Sequence, residues 1–514
     1  MDFDWTQQVI ATKTTEALEI DQLDRSKYAK FLTEYLQIFT EQSYVMNLNA
    51  EWGAGKTYFL KRWHHTIKND HPIAYIDAWK NDFSDDPLLT VISGILETLK
   101  CYPNVSANDY SQKVIKSGSR FLKQVAPALI KGLFRTYAGV DSDSFNLDDF
   151  DDFAVKAMEA SLSDHNKKSG DLYEFKKNIG KWLETSINSN GVNKPKKPMF
   201  VFIDELDRCR PTYAIELLET VKHLFDIPGL VFVVATNTDQ LQHSIKAVYG
   251  SDFDAQRYLY RFFNRSFTLK KPDIEKFILV QDAFNGENGL GQTLLSTCDG
   301  RITVDDVSTV AKNLAAIADF FEFDLRTTSQ WLDQIRTIFP IPECQNIKNY
   351  FWIALAVISA IYMHKKDYYQ SIFQNEPRSA WGNRKDIDEI KNDFSNRSAN
   401  SNSLIHFSVR ADHLGSKKLF ASDNNGTSFD GTRTIAFEVA VHSIFVGVVN
   451  CFSKPLPAIF EMAKQSEATF TGNDVNAWKG KSFSVNLAMH YCATQRGVTK
   501  NGYLDLTELA SDLE

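Results

Sequence analysis

"YVMNLNAEWGAGKTYFLKRW", residues 44–63, is the stretch on which the reading of the chain turns. It opens with a short apolar run, "YVMNLNA", and closes with Phe59, Leu60, Trp63 and Ile67 at helical spacing. Between them lies "EWGAGKT". A phosphate-binding loop reads G-x-x-x-x-G-K-[ST] between a strand and a helix. Gly55, Lys56 and Thr57 fit its end, while Ala50 stands at its first glycine. That first glycine serves the turn leaving the strand, and alanine fits there if its φ is negative. The phosphate cradle is then expected from Glu51, Trp52, Gly53, Ala54, Gly55, Lys56, Thr57 and Tyr58. Glycines let backbone N–H groups approach closely, and the helix N-terminus favours an anion. Lys56 would reach the β/γ-phosphates and the Thr57 hydroxyl would bind magnesium.

A second stretch supplies acids. "MFVFIDELDRC" is an apolar strand ending in Asp204 and Glu205, a Walker B pattern. Asp204 would hold magnesium, and Glu205 would orient and activate the attacking water. The next apolar run, "LVFVVATN" (230–237), ends in Asn237, which either contacts the γ-phosphate or the attacking water, or simply terminates the strand. "TNTD" brushes the guanine-reading [NT]KxD pattern but lacks its lysine, which favours adenine and hence ATP. Arg257, Arg261 and Arg265 in "AQRYLYRFFNR" could stabilise a transferring phosphoryl group in cis or across a subunit interface, or form surface ion pairs.

The continuous apolar runs are those of a parallel sheet buried on both faces, with helical patterns between them. The fold class expected is α/β: a P-loop NTPase with a parallel sheet sandwiched by helices, plus a C-terminal helical region. Residues 1–43 read as a helical lead-in, and 100–195 as a helical and acidic insert with "DSDSFNLDDFDDF" at 141–153. "NSNGVNKPKKP" (188–198) is a linker by composition. Residues 395–433, rich in Ser, Asn, Gly and Asp, read as loop, and "TIAFEVAVHSIFVGVVNCF" as helical. The expected division is a core over 1–270, a helical lid over 271–345 and a mostly helical interaction module over 346–514.

Bulk properties narrow the function classes. The chain has 514 residues and a net charge of −8, which argues against wholesale coating of nucleic acid or membrane. A local basic patch, and with it a nucleic-acid partner, stays open. The six cysteines include no C-x-x-C pair, which speaks against a zinc site or disulfide framework. The acidic, polar N-terminus "MDFDWTQQVI" is not a secretory signal. The longest apolar run, "YFWIALAVISAIYM" (350–363), falls short of the roughly 20 residues a spanning helix needs, so it reads as a core helix. A cytoplasmic protein without membrane contact is expected.

Together "AEWGAGKTYFL", "YIDAWKNDFSDDPL", "VFIDELDRCRPTYAIELLETVKHLFDIPGLVFVVATNTDQL" and "YLYRFFNRSFTL" resemble the KAP family of P-loop NTPases. The resemblance covers about residues 25–345, and "DELDRC" is its most specific mark. It places the chain in the additional-strand class that also holds the AAA+ and STAND ATPases. It implies ATP and magnesium as cofactors and ATP hydrolysis that drives assembly or conformational change. Because several bacterial antiviral operons carry such ATPases, it also implies a homo-oligomer or a complex with operon-encoded proteins in antiviral defence. The alternative is a nucleotide-gated scaffold with little turnover. Arg326, in "FDLRTTSQWL", resembles a sensor-2 arginine, while Arg208 matches the motif without an assigned role. The sequence departs from the family at Ala50, at Glu205 and Asn237 (where Asp is frequent), and in lacking a membrane-helix insert between the two motifs.

Overall fold

The computed structural model describes residues 1–10, 17–83, 87–102, 165–187, 196–296, 302–338, 352–366, 404–409 and 431–436, apart from 225, 282, 286–288, 305 and 365, together with 113, 114, 117, 507 and 508. The acidic tract at 141–153, the cationic stretch "RFLKQVAPALIKGLFRTY", most of the 188–198 linker and the expected boundary at 345 lie outside the described residues. The chain divides into two compact units, Met1–Lys271 and Pro272–Glu514.

The first unit is built on a five-stranded sheet, parallel throughout. Its strands are β3 (Tyr44–Asn49), β4 (Ile73–Asp77), β5 (Met199–Asp204), β6 (Leu230–Thr236) and β7 (Arg265–Thr268), in the order β4-β5-β6-β3-β7. β6 therefore stands between the strand that feeds the loop and the strand that carries the acids. A strand in that place is what the resemblance to the additional-strand class implies.

Alternation along β5 and β6 divides the apolar side chains between two cores, because successive side chains point to opposite faces. Phe200, Phe202, Val231 and Val233 pack on one face with α1 (Ser26–Leu36) and α2 (Lys56–Ile67). Met199, Val201, Ile203, Phe232 and Val234 face the other way. They meet α3 (Pro87–Lys100), α4 (His165–Ile187), α5 (Pro211–Leu224), α6 (Thr238–Tyr249) and the short α7 (Ala255–Leu259). Burial on both faces explains why the central strands carry no polar alternation.

On the first face Trp63 is fully buried, its ring centroid 4.8 Å from that of Phe202 and 5.7 Å from that of Phe59. Its Nε1 donates to Thr33 Oγ1 at 2.7 Å, so the ring's one polar group is satisfied and α1 is tied to α2.

The lead-in corrects the expectation of helix over 1–43. Among the described residues of this stretch, Ser26–Leu36 and a 3₁₀ turn at Gln37–Phe39 are the helical ones. The residues before them include two short antiparallel strands, β1 (Val9–Ile10) and β2 (Ala17–Leu18). This segment is fastened to α2 by specific contacts. Trp5 Nε1 donates to Thr66 Oγ1 at 2.8 Å, and Arg62 Nη2 donates to the carbonyl of Trp5 at 2.8 Å. Such long-range pairing leaves no helical or strand period in the sequence.

The second unit contains α8 (Ile274–Val280), α9 (Leu290–Ser296), α10 (Val307–Phe320), α11 (Leu325–Ile338) and α12 (Trp352–His364). All residues of α12 from Trp352 to Ile361 are buried, as its unbroken apolar sequence requires. No helix among the described residues is long and apolar enough to cross a membrane. The unit also carries an antiparallel sheet, order β10-β9-β8, made of β8 (Ile302–Thr303), β9 (Leu404–Val409) and β10 (Gly431–Ala436). β9 lies in, and β10 starts in, the stretch expected to be loop, and β10 takes the first three residues of the run expected to be helical. Each is six residues long, and the Ser, Asn and Gly around them masked their short alternating patterns.

Candidate functional site

The loop leaves β3 under tight control. Ala50 N donates to the carbonyl of Thr236 at 3.1 Å, and Asn49 Oδ1 accepts from Thr238 N at 2.9 Å. Behind them the Asn47 side chain accepts from Thr236 Oγ1 at 2.8 Å and donates to Thr238 Oγ1 at 2.9 Å. The exits of β3 and β6 are thus locked in register by polar groups that would otherwise be buried without partners.

Gly53 and Gly55 have φ of 70° and 82°, in the left-handed region where glycine is favoured, and Gly55 caps α2. Ala50 is not among the residues of positive φ, and its side chain is buried in the first core with Leu48 and Phe59. Alanine at this position therefore costs nothing in backbone strain and leaves the cradle clear. The first turn of α2 opens with Lys56, Thr57 and Tyr58, whose amides have no intrahelical acceptor. That is the donor set an anion needs.

Lys56 folds back over its own loop. Its Nζ donates to the carbonyls of Ala50 at 2.7 Å and Glu51 at 3.2 Å. Burial lowers its pKa, an effect opposed by the charges of Asp207, Asp204 and Glu205. The Lys56 ammonium and the acids at the end of β5 therefore share one site. Thr57 Oγ1 donates to Glu205 Oε1 at 2.8 Å. Asp204 is buried, with Oδ2 accepting from Tyr75 OH at 2.7 Å and Oδ1 from Glu205 N at 2.9 Å. Burial pushes the Asp204 carboxyl up to about 6, Glu205 adds to the rise, and the hydrogen bonds from Tyr75 and Thr57 oppose it.

A buried carboxylate and a hydroxyl that meet in this way are hard oxygen donors of the kind magnesium takes. The residues present fit that ion: Thr57 and Asp204 would hold it, and it would neutralise charge on the phosphates.

Three contacts at the site leave no trace in sequence pattern. Tyr75 is one. Arg208 is another: its Nε lies 2.5 Å from Glu205 Oε2 and its guanidinium stacks 5.6 Å over the Trp79 ring. The motif arginine therefore holds the second acid, which itself sits at φ 59°. The third is Trp52, whose Nε1 donates to Asp207 Oδ2 and so ties the loop to the turn after β5. Trp52, Trp79 and Phe83 remain exposed at this end of the sheet.

Asn237 follows the last residue of β6. It caps α6, with Oδ1 accepting from Asp239 N at 3.2 Å and Gln240 N at 3.4 Å. The cap occupies the side-chain oxygen.

The arginines after β6 lie away from the loop. α6 begins beside Asn49 and rises about 1.5 Å per residue, so Tyr249 is about 17 Å further along. Tyr258, next to Arg257, packs on Tyr249, 5.6 Å between centroids. Asn264 exchanges hydrogen bonds with Val45 near the start of β3, and Arg265 pairs in register with Met46 and lies over the Tyr35 ring. Arg257, Arg261 and Arg265 are exposed at the end of the sheet opposite the loop. Their action in cis, one of the two options in the sequence, is thereby removed. Arg326 is the second residue of α11, exposed, in the second unit.

A parallel sheet with this strand order, a glycine loop capping a helix, and a lysine, threonine and two acids gathered at one strand end define a P-loop NTPase domain, a nucleotide-binding fold. The chain belongs to the KAP family: the model of the KAP family P-loop domain matches residues 25–341. No curated protein matches the chain.

Proposed function

We propose that the chain is an ATPase that binds ATP with magnesium through residues 51–58, Asp204 and the Lys56 ammonium, and hydrolyses it with Glu205 as the water-activating base. The observation that carries this reading is the meeting of Lys56, Thr57, Asp204 and Glu205 at one end of the sheet. Phosphoryl transfer asks for positioning and charge stabilisation, and those four side chains supply a cation, a magnesium site and a base. The work done by hydrolysis is assembly or conformational change, and the setting is bacterial antiviral defence alongside operon-encoded partners in the cytoplasm. Adenine is the base read, since the guanine pattern lacks its lysine.

One observation favours the second reading, a nucleotide-gated scaffold with little turnover. Glu205 is engaged by both Thr57 and Arg208, so its carboxylate must be released before it can take a proton from water.

Lys56→Ala should abolish ATP binding in titration calorimetry. Glu205→Gln should keep binding and lose hydrolysis, because an amide cannot accept the proton. Wild-type turnover by Glu205→Gln would sink the base assignment. A wild-type chain that binds ATP but fails to turn it over, alone or with its partners, would select the scaffold.

A further inference from the structure

Arg25 is a buried cation that neither motif accounts for. It is 2% exposed, and its backbone is fixed at the start of α1: its N–H donates to Asp21 Oδ2 at 2.6 Å. The same carboxylate also accepts from Ser26 N at 2.8 Å and Leu23 N at 3.1 Å, so its hydrogen bonds come from backbone donors and it acts on the guanidinium through its charge, against a burial that lowers the Arg25 pKa. Among the described residues the guanidinium itself makes one long hydrogen bond, from Nη1 to the carbonyl of Gly55 at 3.4 Å. Its Nη2 is buried with no partner among the described residues. A buried charge is costly unless it is paired, so a guanidinium in this state points to an anion that binds beside it.

The place of the guanidinium says which anion. A Cβ on Gly55 would stand 2.8 Å from Nη1, so Arg25 lies against the residue that caps α2, within the phosphate cradle's own backbone. Around the first turn of α2, Thr57 faces Asp204 and Glu205, the acids for magnesium and water. Tyr58, the next residue and so about 100° further round the helix, feels the Arg25 charge and donates from its hydroxyl to the carbonyl of Glu19. Arg25 and the segment from Glu19 thus cover the side of the loop turned away from the γ-phosphate chemistry. A triphosphate laid on α2 with its γ end at the acids brings its nucleoside end to that side.

We propose that Arg25 is a nucleotide-binding residue whose guanidinium contacts the α-phosphate of the nucleotide held on the Gly53–Thr57 loop. Lys56 is likewise buried and folded on loop carbonyls, so both cations turn from backbone oxygens to phosphate oxygens when nucleotide enters. An arginine fork suits this task because it can meet two phosphate oxygens at once. This inference rests on the reading of the loop as an ATP site.

The test is titration of the full chain and of Arg25→Gln with ATP and with ADP, beside Lys56→Ala as the control. ADP and ATP share the α-phosphate, so Arg25→Gln should weaken both by the same factor, ten-fold or more. The wild-type ratio of ATP to ADP affinity should persist. The melting temperature of the nucleotide-free variant should not fall, since the substitution removes a buried charge whose burial outweighs the attraction of Asp21. Arg25→Lys, which keeps the charge but not the fork, should lie between. Unchanged affinity for both nucleotides, or a loss confined to ATP, would overturn the proposal, the latter because it moves the arginine to the γ-phosphate. If neither Arg25 variant folds, the guanidinium is a structural clamp and the proposal also fails. A wild-type chain that binds neither nucleotide refutes the ATP-site reading itself, which separates the two failures.

Discussion

At the residue scale, Asp204 shows how a site can be held at the expense of stability. Its carboxyl stands at about 6 in the folded chain against 3.8 in its ordinary state, because burial outweighs the Tyr75 and Thr57 hydrogen bonds. A carboxyl whose folded pKa is raised costs stability wherever it is charged. The penalty is full above about 6 and is relieved as pH falls toward 3.8. At about 1.4 kcal/mol per unit this amounts to roughly 3 kcal/mol at neutral pH. In magnesium-free buffer Asp204→Asn should therefore raise the unfolding free energy by roughly 2–3 kcal/mol at pH 7, and by about half as much at pH 5. Urea unfolding at the two values reads both numbers, and an equal gain at both would break the assignment. Ala50 makes the opposite case. Its φ is not positive and its methyl is buried in the core, so Ala50→Gly should change ATP affinity by less than about 1 kcal/mol while lowering stability by a similar amount. A ten-fold gain in affinity or turnover would mean that alanine had been closing the loop.

At the element scale, the strands that make the site were the ones the sequence displayed. "MFVFID" coincides with β5, and "YVMNLNA", "IAYIDAW" and "LVFVVATN" overrun β3, β4 and β6 by one or two residues. Burial on both faces writes itself as a continuous apolar run, and the two central strands show it most plainly. β7 was missed because it is an edge strand of four mostly exposed residues, Arg265–Thr268, with no apolar run to see. β1 and β2 are two residues each and pair with each other, in a segment that Trp5 ties to α2 by contacts without a period. The same reason hid Arg25, Tyr75 and the Arg208 ion pair. Loops and strand ends that carry chemistry can be matched by motif, but a side chain that arrives from 30 residues away leaves only a lone charged letter. The element contact most open to test is α2 on the sheet. Trp63→Ala removes a fully buried ring from among Phe59, Phe200 and Phe202 and takes one donor from Thr33 Oγ1. The Thr33 hydroxyl keeps its hydrogen bond to the Ala29 carbonyl at 2.7 Å, so the cost is that of the ring: about 3–5 kcal/mol in denaturant unfolding, and a loss under 1 kcal/mol would mean that the α2 core is not packed as described.

At the scale of the whole molecule, the first unit has two ends with different equipment. The loop end holds the acids, the lysine and the exposed rings of Trp52, Trp79 and Phe83. The opposite end exposes Tyr249, Tyr260 and the arginines 257, 261 and 265. The distance along α6 is longer than an arginine side chain reaches. Arg257 or Arg261 can therefore assist hydrolysis only on the loop of a second copy. Stacking copies end to loop would bring the two surfaces together and repeat the contact in a ring or filament. An arginine acting on transition-state charge leaves ground-state affinity nearly intact. Arg257→Ala or Arg261→Ala should then lower kcat at least ten-fold with ATP affinity kept, and wild-type specific activity should rise with protein concentration. Complementation makes the geometry decisive. Lys56→Ala cannot bind ATP but still offers its arginines, while the arginine variant binds ATP and lacks the donor. Each alone should be inactive, and their mixture should recover activity at the mixed interface. No recovery, together with activity per chain that is independent of concentration, would retire the arginines as catalytic groups and leave them as surface charges.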